Sequence, residues 1–86
     1  MPIISIFFGI IIRVFHKDHH PPHFHVQYGE FKAIIEIKTG KILHGKLPKR
    51  THRLVSEWRK LHLFEIQKAW DEAQELKNPR KIKPLE

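Results

Sequence analysis

The chain has no cysteine among its 86 residues. Disulfide staples and thiolate metal ligands are therefore excluded, and a single small domain must be held together by packing alone. Long hydrophobic runs are also missing. The most apolar stretch, Pro2 to Ile12, is interrupted by Ser5 and Gly9 and followed by Arg13, so it is too short to cross a bilayer. No basic segment precedes it, and it reads as buried strands rather than a membrane anchor or signal peptide. These absences lead to the expectation of a cytoplasmic protein with no membrane partner. There is no Walker-type glycine loop, no Gly-x-Ser-x-Gly elbow, no His-Glu-x-x-His run and no paired catalytic carboxylates. Ordinary nucleotide hydrolases, esterases and glycosidases are set aside on that ground.

Acidic residues are scarce: nine Asp and Glu face sixteen Lys and Arg, a net charge of +7. That excess is local. Residues 1–37 and 61–86 are each balanced, whereas residues 38–60 carry Lys38, Lys41, Lys46, Lys49, Arg50, Arg53, Arg59 and Lys60 against Glu57 alone. Such a one-sign patch attracts polyanions or an acidic protein surface. Lys46, Lys49, Arg50, Arg53 and Lys60 are the candidate nucleic-acid or partner contacts, although no base-reading motif accompanies them.

The patterning predicts an α+β fold, an antiparallel meander of about five short strands followed by two C-terminal helices packed on one face. Pro2 to Phe15 reads as two strands broken near Phe8-Gly9. From His23 to Tyr28 the side chains alternate, with Phe24, Val26 and Tyr28 inward and His23, His25 and Gln27 outward. A two-residue turn at Gly29-Glu30 places Tyr28 opposite Phe31, Val26 opposite Ala33, Phe24 opposite Ile35, His25 opposite Ile34 and His23 opposite Glu36. Thr39-Gly40 leads into a strand from Lys41 to His44, with Ile42 expected to meet Ile37. In residues 49–62, Leu54, Val55, Trp58 and Leu61 form an apolar stripe; Leu63, Ile66, Ala69, Trp70, Ala73 and Leu76 form a second, with a break near His62 to Phe64. The two tryptophans are read as core. Residues 1–78 make the domain, and residues 79–86 form a basic tail in which Ile82 and Leu85 are candidates for docking.

What the chain has in abundance is histidine. Five of its eight lie in residues 16–25, His-Lys-Asp-His-His-Pro-Pro-His-Phe-His. Imidazole binds metals, moves protons and carries charge near neutral pH. On a strand, His23 and His25 project the same way, about 7 Å apart at their bases, a workable pair of ligands for Zn²⁺ or another divalent transition metal. Glu36 across the hairpin is a third ligand candidate, as are His16, Asp18, His19 and His20 in the preceding loop. Without metal, His19, His23 and His25 could act as a general acid and base in RNA cleavage, provided Lys46, Arg50 or Arg53 lay beside them.

Further residues carry a resemblance. Met-Pro-x-Ile-Ser with Phe-Phe-Gly-Ile, then Asp18-His19-x-Pro21-Pro22-His23-Phe24-His25, Tyr28-Gly29-Glu30, Gly45-x-Leu47-Pro48, Trp58 and Trp70 together resemble the small bacterial family known as domain of unknown function 4160. The resemblance runs from about Met1 to Leu76, and the Asp-His-x-Pro-Pro-His-Phe-His block is its most specific part. It implies no established activity. It does imply membership of small two-gene units similar to toxin and antitoxin modules, hence a cognate small protein partner and an RNA-directed role. Asp18, His19, His23 and His25 carry the resemblance, whereas His20 stands where the family pattern varies. Three readings therefore stand side by side: a toxin-antitoxin-type component binding RNA or an acidic partner, a metal-binding domain, and a structural interaction module.

Overall fold

A computed structural model describes residues 2–86. Five antiparallel strands, β1 (Ile3–Phe7), β2 (Ile10–Arg13), β3 (His23–Tyr28), β4 (Phe31–Glu36) and β5 (Ile42–Gly45), form one sheet in sequential order, followed by helices α1 (Lys49–Leu61) and α2 (Leu63–Gln74). The β3–β4 hairpin has the register read from the alternation, from Tyr28 opposite Phe31 to His23 opposite Glu36. That agreement follows from the two-residue turn: a slip of one position would send Phe24 and Val26 to solvent.

The helices cover one face of the sheet. Phe24, Val26, Ala33 and Ile35 bury their side chains toward Val55, Trp58, Ile66 and Trp70, and the Trp58 ring sits 5.5 Å from Phe7 and 5.9 Å from Phe24. Both tryptophans are core, with Trp58 fully buried. The alternation of β2, β3 and β4 turns Arg13, His25, Gln27, Lys32 and Ile34 to the opposite face. β5 approaches β4 closely at Gly45, whose φ of +83° suits glycine and whose missing Cβ would collide with the Lys32 carbonyl.

Three expectations are corrected. Ile42 pairs with Ile35, not Ile37, because the Glu36 carbonyl accepts from Gly40 and its amide donates to Lys41; Ile37 leaves the ladder and bonds to the Pro22 carbonyl at 3.0 Å. Leu61 is 68% exposed, and Leu63 and Leu76 are also exposed, because the helix breaks at His62 and the ends of both apolar stripes run past the sheet they pack on. The third concerns His23, and belongs with the site.

The C-terminal segment lies against β1. Ile82 donates to the Ile4 carbonyl at 2.7 Å, Ser5 Oγ donates to the Ile82 carbonyl at 3.0 Å, and the Ile82 side chain is buried. Arg80 grips Glu72 with a 2.7 Å ion pair, and its own amide also donates to that carboxylate. These hydrogen bonds pull the Glu72 carboxyl from 4.5 to about 2. Because the folded value lies below the unfolded one, the contribution of Glu72 is full above pH 4.5 and is lost as pH falls toward 2. Hydrogen exchange should therefore find the Ile82 amide protected at about pH 6 and less protected at about pH 3, and weakly protected at both in Glu72→Gln. Equal protection of wild type at the two pH values would contradict this anchoring.

Candidate metal centre

The loop before β3 folds back over the start of that strand. Asp18 turns its carboxylate onto the sheet, where Oδ2 lies 2.8 Å from His23 Nε2 and 3.1 Å from His25 Nε2. Asp18 Oδ1 is held by the backbone amide of His19 at 3.0 Å. The other nitrogen of His23, Nδ1, lies 2.7 Å from the Pro21 carbonyl. His25 is fixed differently: its ring stacks on Phe15 at 4.1 Å between centroids, nearly parallel. One atom each from Asp18, His23 and His25 thus converge within 4.8 Å of one another.

His23 leaves the strand on the same side as His25, as the alternation requires, but it does not reach solvent: only 3% of it is exposed. The reason lies outside the strand. Trp70 of α2 approaches to 5.1 Å and His19 to 5.8 Å between ring centroids, closing over the imidazole. His25 keeps 24% of its side chain exposed and forms the open side of the cluster.

The carboxyl of Asp18 responds to this setting. Burial alone would push it up, but hydrogen bonds from His25, the His19 amide and His23, with the electrostatic attraction of the His23 ring, outweigh burial and hold it below the ordinary carboxylate value. An ionised Asp18 is the form that ligates metal.

The remaining sequence candidates separate. The His19 side chain is 90% exposed at the rim, and its amide contributes more than its ring. Glu36 faces His23 in register, yet its carboxylate accepts from Thr39 Oγ1 at 2.7 Å; the turn into β5 claims it, and Asp18 is the third member in its place. Lys46, Lys49, Arg50, Arg53 and Lys60 are all exposed, but α1, which carries the last four, docks through Val55 and Trp58 on the face opposite His25. Those four are not brought to the imidazoles, and Lys46, just after β5, is not among the residues lining the cleft beside His25. The cations on the His25 face are Arg13 and Lys32, which with Phe15, Gln27, Ile34 and His44 line a cleft of about 350 Å³. Sequence reasoning passed over that cleft, though the meander order already sets Arg13 beside His25.

The family described as Domain of unknown function (DUF4160) matches residues 9–71. The chain belongs to the DUF4160 family. The matched span holds β2 to β5, α1 and most of α2, and so contains Asp18, His23, His25 and the cleft residues. Neither the curated proteins nor the solved structures yield a match. DUF4160 membership carries the fold's core and the site together, and assigns no chemistry to either.

Proposed function

We propose that the protein is a metal-binding domain that holds a divalent first-row transition ion, Zn²⁺ being the best match, between Asp18 Oδ2, His23 Nε2 and His25 Nε2. The observation that carries this reading is the meeting of two imidazole nitrogens on one carboxylate oxygen while the Pro21 carbonyl occupies the far side of His23. A neutral imidazole donates from one nitrogen only. If Nδ1 gives its proton to Pro21, Nε2 presents a lone pair to a carboxylate oxygen 2.8 Å away, an arrangement that calls for a cation between them. A proton on Nε2 would be one such cation, with His25 Nε2–H donating to the same oxygen; a divalent ion would replace both protons and take all three groups at once. A carbonyl behind a ligand histidine is also the usual means of fixing its tautomer and orientation.

Two histidines and a carboxylate form a set used for catalytic zinc and for other first-row ions, with positions left open to water or substrate. Donors around tetrahedral zinc stand roughly 3.3 Å apart, so the present contacts need widen by only a few tenths of an ångström. Such an ion would supply Lewis-acid polarisation of a bound anion or activation of a water. The domain's part is to orient His23 from behind, to keep Asp18 ionised and to leave the His25 side open.

Elemental analysis after extensive dialysis tests this reading. Wild type should retain close to one ion per chain, and His23→Ala and His25→Ala should fall to background while circular dichroism reports an intact fold. A metal-free wild type that takes up no added Zn²⁺, Mn²⁺ or Ni²⁺ would overturn it.

A second reading rests on a separate observation, the exposure of Lys46, Lys49, Arg50, Arg53 and Lys60, the last four of them on α1. In the toxin-antitoxin-type role, RNA or an acidic cognate protein would bind that surface without using the imidazoles. Affinity for generic RNA that falls steeply with salt and weakens in Arg50→Ala and Arg53→Ala would support it, and a flat salt response would remove it.

A further inference from the structure

On the face that the helices leave uncovered, one cross-strand row runs from Arg13 to His25, from His25 to Ile34 and from Ile34 to His44. The adjoining row sets Gln27 opposite Lys32. Neighbouring strands lie about 4.8 Å apart, so the row spans roughly 14 Å from Arg13 to His44, with Ile34 as the floor between the two imidazoles. These residues and Phe15 bound the cleft of about 350 Å³, within the size range of small-molecule sites.

The charges of the lining itself are of one sign. Arg13 and Lys32 supply fixed positive charge, His25 and His44 supply imidazoles and Gln27 supplies an amide, while the one carboxylate in contact with the lining, Asp18, is engaged by His25 Nε2 at 3.1 Å. Arg13 is already positioned: its guanidinium donates to Gln27 Oε1 at 2.7 Å, so binding a ligand costs little further ordering of that side chain. Lys32 on β4 and His44 on β5 are near neighbours at one end of the cleft, and Arg13 on β2 stands at the other. A doubly charged phosphate profits from such paired donors more than a singly charged carboxylate does. The apolar part of the lining, Ile34 and the Phe15 ring stacked on His25, offers a surface for a flat body attached to that anion.

We infer that the cleft binds a small phosphate monoester of mononucleotide size, with its phosphate between Lys32 and His44 and its planar body against Ile34 and Phe15. The inference does not draw on the metal-centre reading, although His25 belongs to both sites. The charge contacts stand without the ion. An extended RNA strand is a poorer occupant, because the cleft accommodates about one nucleotide and the α1 basic surface lies on the other side.

Calorimetry with AMP, and with adenosine as the uncharged control, tests the inference on full-length protein, both as purified and after metal stripping. AMP should bind, adenosine should bind roughly tenfold or more weakly, and Lys32→Ala and His44→Ala should each weaken AMP by about tenfold with metal content unchanged. Both side chains are exposed, so these variants keep the fold. Equal binding of AMP and adenosine, or wild-type affinity in both variants, overturns the cleft assignment even where the ion is retained. Protein that neither carries metal as purified nor takes up added Zn²⁺, Mn²⁺ or Ni²⁺, yet binds AMP through Lys32 and His44, keeps the cleft and removes the metal reading.

Discussion

Asp18→Asn is expected to empty the metal centre while leaving the domain folded. Asparagine keeps the shape of the side chain: its oxygen can still accept from the His19 amide, and its NH₂ can donate to the Nε2 lone pair that His23 presents. Loss of the negative charge removes the strongest attraction for a divalent ion. Altering even the outer-sphere partners of a metal ligand costs about 10- to 100-fold in affinity, so replacing the carboxylate itself should cost on the order of 100-fold or more. Apo stability should change by about 1 kcal/mol or less, the worth of one exchanged hydrogen bond. The measurement is a pair of thermal melts with and without added Zn²⁺. Saturation at about 1,000 times Kd stabilises a protein by about 4 kcal/mol, so wild type should shift clearly and Asp18→Asn should not. A variant that shifts as far as wild type would show that Asp18 is not a ligand.

Trp58→Ala should be the most damaging single change to the fold. The indole is fully buried between Phe7 and Phe24, and its Nε1 donates to the Lys83 carbonyl at 3.0 Å, so it joins the helix, the sheet and the C-terminal segment at one point. Truncating a buried tryptophan costs about 3–5 kcal/mol. A domain of this length has roughly 4–13 kcal/mol in total, so the loss consumes much or all of its stability. The melting temperature should fall by roughly 15–30 °C, or the transition should disappear. Trp58→Phe separates the two contributions. It keeps most of the bulk and gives up the bond to Lys83, and should cost about 1–2 kcal/mol with selective loss of protection near Ile82. If Trp58→Ala melts within a few degrees of wild type, the packing described here is wrong.

The parts of this architecture that were legible beforehand are those governed by local rules. The β3–β4 register followed from Gly29-Glu30 and a two-residue alternation, and Trp58 and Trp70 followed from helical spacing. The parts that were not legible depend on distant partners. Nothing in the pattern around His23 says that Trp70, on the last helix, will close over it. Ile37 continues the alternation of β4, but the turn hydrogen bonds of Glu36 end the ladder one residue earlier. Asp18 sits in an irregular loop without periodicity, so sequence reasoning could name it among several third ligands but could not choose it over Glu36. Leu61 shows the same limit from the other side: a wheel reports which way a residue faces, not where the opposing surface stops.

The docked C-terminus has a consequence for self-association. Sheets polymerise by adding strands at both free margins, and here the β1 margin is occupied by the chain's own Ile82. Among the described residues the β5 margin, where Ile42 and Leu43 are exposed, carries no such cover and is the one open to another strand. Two copies joined there would consume each other's last open border, so growth stops at a pair and no filament follows. Cutting the chain before Arg80 would remove that stop.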